Sequence, residues 1–331
     1  MTERTARLIE RMLAGDRVAL AKLMTHVESR GVETPEIMSR LHQRSSGARL
    51  IGITGPPGAG KSTLVDGLIG ACRQRGLRVG VIAVDPSSPF SGGAVLGDRI
   101  RMQSHYLDEG VFIRSLSARG NVGGLARATR DLARLLAAFG QDVVLVETVG
   151  VGQNEFDIMR LADTVVVVLV PEAGDTVQAM KAGLLEIADV FVVNKADRDG
   201  ATRMKSELEM MLQLRPAAAW QVPVLLSVAS ERRGIDEVLA VLEAHHRHLE
   251  DSGEGAARAA VGRHDEFVAA LRDEVGRRLE RGLRDDALAA VLEAVRSGRL
   301  DPYAALRQVL ADPRFVERLL AAPGAPGDAG G

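Results

Sequence analysis

The chain has 331 residues, 46% of them hydrophobic and 26% charged, which is enough apolar material for one large core with helical additions rather than two unrelated domains. Its formal net charge of −2 offers no general attraction to nucleic-acid phosphates or anionic lipid, since both need a basic excess or stripe; small molecules and proteins are the expected partners. The single cysteine, Cys72, can close no internal disulfide and build no CxxC metal site, which fits a reducing compartment and makes the cytoplasm the expected location.

Residues 1–48 place apolar side chains at helical spacing and read as an N-terminal helical extension. Glu and Arg interrupt its first apolar positions, so no secretory leader is expected, and no run approaches the roughly 20 apolar residues of a membrane span. From 49 to 250 seven short runs rich in Val and Ile alternate with helical patterns: 50–54, 79–84, 111–116, 142–148, 164–170, 190–195 and 222–228. Such runs read as buried parallel strands, and their alternation with helices predicts an α/β domain with a mainly parallel central sheet. DSGEGAARAAVG, 251–262, reads as a flexible joint. Residues 261–318 return to helical spacing, with Phe267, Leu271, Val275 and Leu279 forming a stripe that can pack on this chain or on a second one. The Pro, Gly and Ala tail, 319–331, is expected to be disordered.

GPPGAGKS, Gly55 to Ser62, follows the first strand and opens an apolar-periodic helix. In a phosphate loop of this kind the glycines let backbone N–H groups turn inward around phosphate oxygens, the Lys reaches the β and γ oxygens and the hydroxyl ligates Mg²⁺. That assigns Gly55, Pro57, Gly58, Ala59, Gly60, Lys61, Ser62 and Thr63 to nucleotide binding. NKAD, Asn194 to Asp197, ends the sixth strand. Guanine presents two donors on one edge, and a carboxylate such as Asp197 accepts from both, whereas adenine cannot make that pair. Lys195 would lie along the base, Asn194 would tie this loop to the phosphate loop, and Ser227, Val228 and Ala229 would bring backbone N–H groups to the guanine oxygen. The expected nucleotide is GTP, with Mg²⁺ held by hard oxygens from Ser62, Asp85, Asp98 and Glu147. For Asp85 a turn cap before Pro86, and for Asp98 plain solvation, remain open.

In ETVGVGQNE, 147–155, Gly150 can donate its N–H to a γ-phosphate, but Gln153 lies three residues after Gly150 instead of directly after it. Slow intrinsic hydrolysis, accelerated by a partner, is the expectation. The remaining features read plainly: His245, His246 and His248 as a solvated helix end, Cys72 as packing, Trp220 as packing or a surface contact, and the Arg-rich run 272–286, interleaved with acids, as a solvated or dimer-contacting face.

Together, GITGPPGAGKST, VDPSSPFSGGAVLGDRIRM, SARGNVGGLARATRD, ETVGVGQNEFDI, PEAGDTVQAMKAGLLEIADVFVVNKAD and the late DPYAA resemble the MeaB/ArgK-type GTPases, the G-protein chaperones of adenosylcobalamin-dependent acyl-CoA mutases. The resemblance implies a P-loop NTPase fold of the SIMIBI class, a homodimer built through the C-terminal helical arm, Mg²⁺ with GTP or GDP, and protection or reloading of a mutase coupled to GTP hydrolysis. It also implies a second mobile segment, matched by Pro171 to Gly183. There Asp175 and Lys181 join Lys61 and Glu147 as catalytic candidates, because a Lys delivered to the γ-phosphate can neutralise developing charge. An ordinary helix start, with Asp175 as N-cap and Lys181 solvated, is the alternative, and Glu172 stands where the family suggests Gly. Competing expectations are a regulatory GTP switch with negligible turnover, a metal-insertion GTPase, which would call for a Cys or His cluster, and a transport-associated kinase.

Overall fold

The structure, a computed structural model, describes residues 1–29, 31–44, 47–85, 102–117, 124–148, 159–171, 183–216, 218–282 and 286–313. All seven expected strands form: β1 Arg49–Thr54, β2 Val79–Asp85, β3 Val111–Ser117, β4 Val143–Thr148, β5 Thr164–Leu169, β6 Val190–Asn194 and β7 Val224–Ser227. They pair in parallel in the order β3-β2-β4-β1-β5-β6-β7. The last strand is shorter than 222–228 because Pro223 has no N–H to give the ladder; its carbonyl still accepts from Phe191. Lys195 drops out of β6 because its φ of 56° turns the chain into the left-handed region.

The near-continuous apolar runs follow from a sheet covered on both faces. Side chains alternate between two clusters along each inner strand. Val144 and Val146, Val165 and Val167, and Phe191 and Val193 point to one face, while Val143 and Leu145, Val166 and Val168, and Val190 and Val192 point to the other. Helices α4 Lys61–Gln74, through Leu64, Leu68 and Ile69, and α8 Ile235–Asp251, through Val238, Leu239 and Leu242, cover the second face. The first face is covered by α5 Gly124–Ala138 and α7 Ala201–Gln213; between these two in sequence comes the short α6 Leu184–Ile187.

The N-terminal segment forms α1 Glu3–Leu13, α2 Arg17–Glu28 and α3 Thr34–Leu41. Asp16 starts α2 by accepting from the N–H groups of Val18 and Ala19. Leu20, Leu23, Met24 and Ile37 are buried in the same cluster as Leu132, Leu136 and Val144. The helices before residue 49 are thus part of the first core, not a bare appendage, and residues 1–258 make one compact unit.

The segment expected as a joint, 251–262, is helical over most of its length, and the boundary between the chain's two compact units, after Arg258, falls inside it. Helix α8 ends at Asp251, Gly253 takes a φ of 72°, and α9 Glu254–Gly282 begins at once. Small residues suggested flexibility, but Ala is the strongest helix former, and the Ser252 hydroxyl accepts from the Glu254 N–H to start the new helix.

Residues 259–331 form a second compact unit. On α9, Phe267, Leu271, Val275 and Leu279 are exposed. Within that unit lie α10 Asp286–Arg296 and α11 Pro302–Leu310. The DPYAA motif is the start of α11: Asp301 accepts from the N–H groups of Tyr303 and Ala304, and Pro302 occupies a first-turn position that needs no donor.

Candidate functional site

Strand order reverses direction at β1. The chain moves from β1 outward to β2 and β3, returns through β4 on one side of β1, and crosses to β5 on the other. In open α/β sheets the crevice beyond the carboxyl ends of the strands at such a reversal is the ligand site. Every sequence-predicted residue that the structure describes falls at this edge: 55–63 after β1, Asp85 ending β2, Glu147 near the end of β4, Asn194 to Asp197 closing β6 and Ser227 to Ala229 closing β7.

Two glycines of the phosphate loop are set by close approach. A Cβ on Gly55 would stand 2.1 Å from the Val168 carbonyl oxygen of β5, and one on Gly60 would stand 2.3 Å from Asn194 Nδ2. Both have positive φ, 143° and 86°, a conformation glycine alone adopts freely. Helix α4 then starts at Lys61 with no side-chain cap, so its first-turn N–H groups point at the loop's hollow, where an anion is favoured.

Lys61 is buried, with Nζ donating to the carbonyls of Gly55 at 2.7 Å and Pro56 at 3.0 Å. Those bonds lay the ammonium along its own loop. One residue on, buried Ser62 donates to Glu147 Oε1 at 2.6 Å. Glu147 lies on β4, in register with Ile53 of β1 on one side and Ala83 of β2 on the other. A hydroxyl from the start of α4 and a carboxylate from the end of β4 make a pair of hard oxygen donors, the chemistry that suits Mg²⁺ beside phosphate. Asp85 brings the backbone of β2 to the same edge; its side chain, like the whole of Asp98, Gly150, Gln153, Asp175 and Lys181, lies outside the described residues.

Asn194 joins three loops. Its Nδ2 donates to the Ala59 carbonyl at 2.9 Å, and its Oδ1 accepts from Ser227 Oγ and from the Ala229 N–H, both at 3.1 Å. The side chain is buried, so each of these bonds satisfies a group that would otherwise lose water without replacement. The tie holds the phosphate loop against the loops that follow β6 and β7. Beside it, Lys195 is half-buried in its left-handed turn, Ala196 donates to the Ser227 carbonyl, and Asp197 stands exposed at the mouth, free to meet a donor edge. Val228 is buried and Thr63 exposed.

Sequence reading missed two supports. Thr148 donates to Thr54 at 3.1 Å in the core, locking the strand that carries Glu147 to the strand that feeds the phosphate loop. Ser104 donates to Asp66 of α4, and buried Met102 seats the same stretch in the second core. Neither contact has a local signature, because its partners are far apart in sequence.

At the opposite edge of the sheet the expectation of a solvated histidine cluster fails for His245. That residue is fully buried, its Nδ1 2.8 Å from Thr164 Oγ1 and its ring 4.7 Å from Trp220. Trp220 in turn donates its indole N–H to the Asp189 carbonyl at 2.9 Å. The cause is register: His245 falls on the stripe of Val238 and Leu242 that faces the sheet, while His246 and His248 flank it and are partly exposed. Cys72 packs as expected, and burial pushes its thiol up to about 11.

A family model described as methylmalonyl-CoA mutase-associated GTPase MeaB matches residues 20–283. A putative GTPase of Pyrococcus horikoshii is 47% identical over 92% of this chain and 96% of its own length. GTPase ArgK of Escherichia coli is 36% identical over 92% and 95%, and the mitochondrial methylmalonic aciduria type A homolog of Mus musculus is 36% identical over 76% of this chain and 65% of that protein. The crystal structure of an LAO/AO transport system kinase superposes with a TM-score of 0.66 at 31% identity, covering 96% of this chain and 99% of that one.

Proposed function

The chain belongs to the MeaB family of P-loop GTPases and is a GTP hydrolase, and from that premise we propose that it is a chaperone of an adenosylcobalamin-dependent acyl-CoA mutase, coupling GTP hydrolysis to cofactor loading or protection of that enzyme. The family match over residues 20–283 is the observation that carries the client. In this reading the protein acts as a cytoplasmic homodimer.

Backbone N–H groups of 58–63 receive the phosphates, Lys61 leaves the carbonyls of Gly55 and Pro56 for the β and γ oxygens, and Asp197 accepts from the guanine edge. Ser62 and Glu147, 2.6 Å apart, would hold Mg²⁺, with Asp85 and Asp98 as further candidates. An ion held there would supply electrostatic stabilisation of the charge that develops on the transferred phosphate. Water attacks the γ-phosphorus, the bond to the bridging oxygen breaks, and GDP and phosphate form. Since no Gln directly follows Gly150, the water is poorly oriented in the isolated protein, and the proposed turnover is slow until the client delivers Lys181, with Asp175, to the γ-phosphate.

The test is to mix the purified protein with methylmalonyl-CoA mutase and close relatives, measuring complex formation and GTP turnover. A stable complex with a rise in turnover supports the proposal; no binding to any such mutase sinks it. Lys181→Ala should keep GTP affinity and lose client-stimulated turnover by about a thousandfold, the low end for a transition-state cation. Unchanged stimulated turnover would retire Lys181 from catalysis.

A further inference from the structure

At the amino edge of the sheet, far along the strands from the phosphate loop, a chain of charged groups surrounds the start of α9. Asp189, just before β6, is buried; its Oδ2 accepts from the Val165 N–H at 2.8 Å, and its Oδ1 accepts from both terminal nitrogens of Arg258 at 3.3 Å. Arg258 sits in the second turn of α9, and it also donates to Glu254 in the first turn, at 2.8 Å, and to the Asp163 carbonyl at 3.4 Å. The first turns of α9 are therefore fastened to the sheet edge through one carboxylate oxygen, which takes two bonds from Arg258, and through the longer bond to the Asp163 carbonyl.

That same oxygen has a second suitor. His245 Nε2 lies 3.4 Å from Asp189 Oδ1, near enough for an ion pair when the ring is charged, yet Nε2 makes no hydrogen bond as the structure stands. The other ring nitrogen is engaged by Thr164 and the ring is clamped by Trp220, so the imidazole cannot rotate to another partner. When Nδ1–H is donated to Thr164, an incoming proton from water lands on Nε2, facing Asp189.

We propose that His245, Asp189 and Arg258 form an acid-sensitive latch on the root of α9, in which protonated His245 takes the Asp189 carboxylate oxygen that otherwise holds Arg258 and so frees the helix's first turns. Burial keeps the pKa of His245 below the ordinary histidine range, with Arg258 and His248 acting the same way and Asp189 and Glu254 opposing. Burial also works against the charge of Arg258, but Asp189 and Glu254 more than offset it. The other titratable groups facing the network are His248, 3.4 Å from Glu254, and Asp163, whose carboxyl is raised by burial and accepts from the Leu50 N–H. His246 pairs instead with Glu250 at 3.4 Å.

The sign follows from linkage. The freed state, with Arg258 gone from the carboxylate, binds the proton on His245 more tightly than the latched state, so the latch is intact above the ordinary histidine pKa and weakens as pH falls below it. One α8 end and one β6 end meet here, and the other ends of both elements carry the loops that follow β6 and β7; the latch thus stands on elements shared with the nucleotide site.

Hydrogen–deuterium exchange on the full chain, corrected for the intrinsic pH dependence, reads the latch directly. Peptides covering 254–262 should lose protection by up to about tenfold per pH unit between about pH 6.5 and the lowered pKa of His245. His245→Gln should abolish this dependence, while His248→Gln and Asp163→Asn keep it. Protection of 254–262 that is flat from pH 7.5 to 5.0 in the wild type, or a pH dependence surviving in His245→Gln, overturns the proposal. Should His245→Gln not fold, the imidazole of His245 can be titrated by NMR in wild type and in Arg258→Gln. The titration should move to higher pH when the neighbouring cation is removed; an unmoved titration overturns the latch.

Discussion

The two edges of one sheet handle buried polar groups in opposite ways. At the carboxyl edge Lys61 rests on the carbonyls of its own loop, α4 starts without a side-chain cap, and Asp197 is exposed, so these groups can exchange their partners for a nucleotide. At the amino edge Asp189, Arg258, Glu254, His245 and Thr164 face one another; the charges there compensate within the protein. A polar cluster held open for a ligand should therefore register in affinity, and one closed on itself should register in stability.

Substitutions can separate these two behaviours. Asp189→Ala removes the acceptor of Val165 and Arg258 together. It should cost about 3 kcal/mol in urea unfolding, the low end for a broken buried pair because Arg258 can turn to water, and leave GTP affinity unchanged; a large loss of affinity would erase the distinction. Asp197→Asn should do the reverse, weakening GTP binding by about 1.5–3 kcal/mol, the value of a charged hydrogen bond, without moving Tm. Equal GTP affinity in calorimetry would remove Asp197 from base recognition. The smallest effect is expected for Thr164→Val, which keeps shape and takes one hydrogen bond from buried His245. About 1 kcal/mol of stability should be lost, and a neutral outcome would mean that the ring needs no partner at Nδ1.

The carboxyl edge was largely legible because its chemistry is written in contiguous letters. GPPGAGKS between a strand and a helix, and NKAD at a strand end, declare their positions by spacing, with glycine where a Cβ would strike Val168 or Asn194; the left-handed turn at Lys195, which reads in the sequence as the end of the strand, was not declared. Even the tie through Asn194 was anticipated by its place in the motif. Thr54 and Thr148 were not, since a hydroxyl in a strand looks the same whether it meets solvent or another strand. His245 was misread for a related cause: three histidines in four residues near a helix end suggest solvent, and only the helix's rotation against the sheet puts one of them inside. At 251–262 small residues carry two meanings, loose linker or strong helix; Ala decided for helix, while the boundary between the two compact units still falls there.

By itself the amino-acid sequence determined the seven strands, the parallel sheet, the phosphate loop and the place of NKAD at the end of β6, because each depends on local spacing, on backbone conformation or on side-chain chemistry that no neighbour has to complete. Tertiary structure alone decided that the N-terminal helices share the sheet's core, that Ser62 meets Glu147 at 2.6 Å, and that Asp189 lies between His245 and Arg258. These are pairings between residues tens of positions apart, and which faces meet is settled only when the strands order and the helices dock.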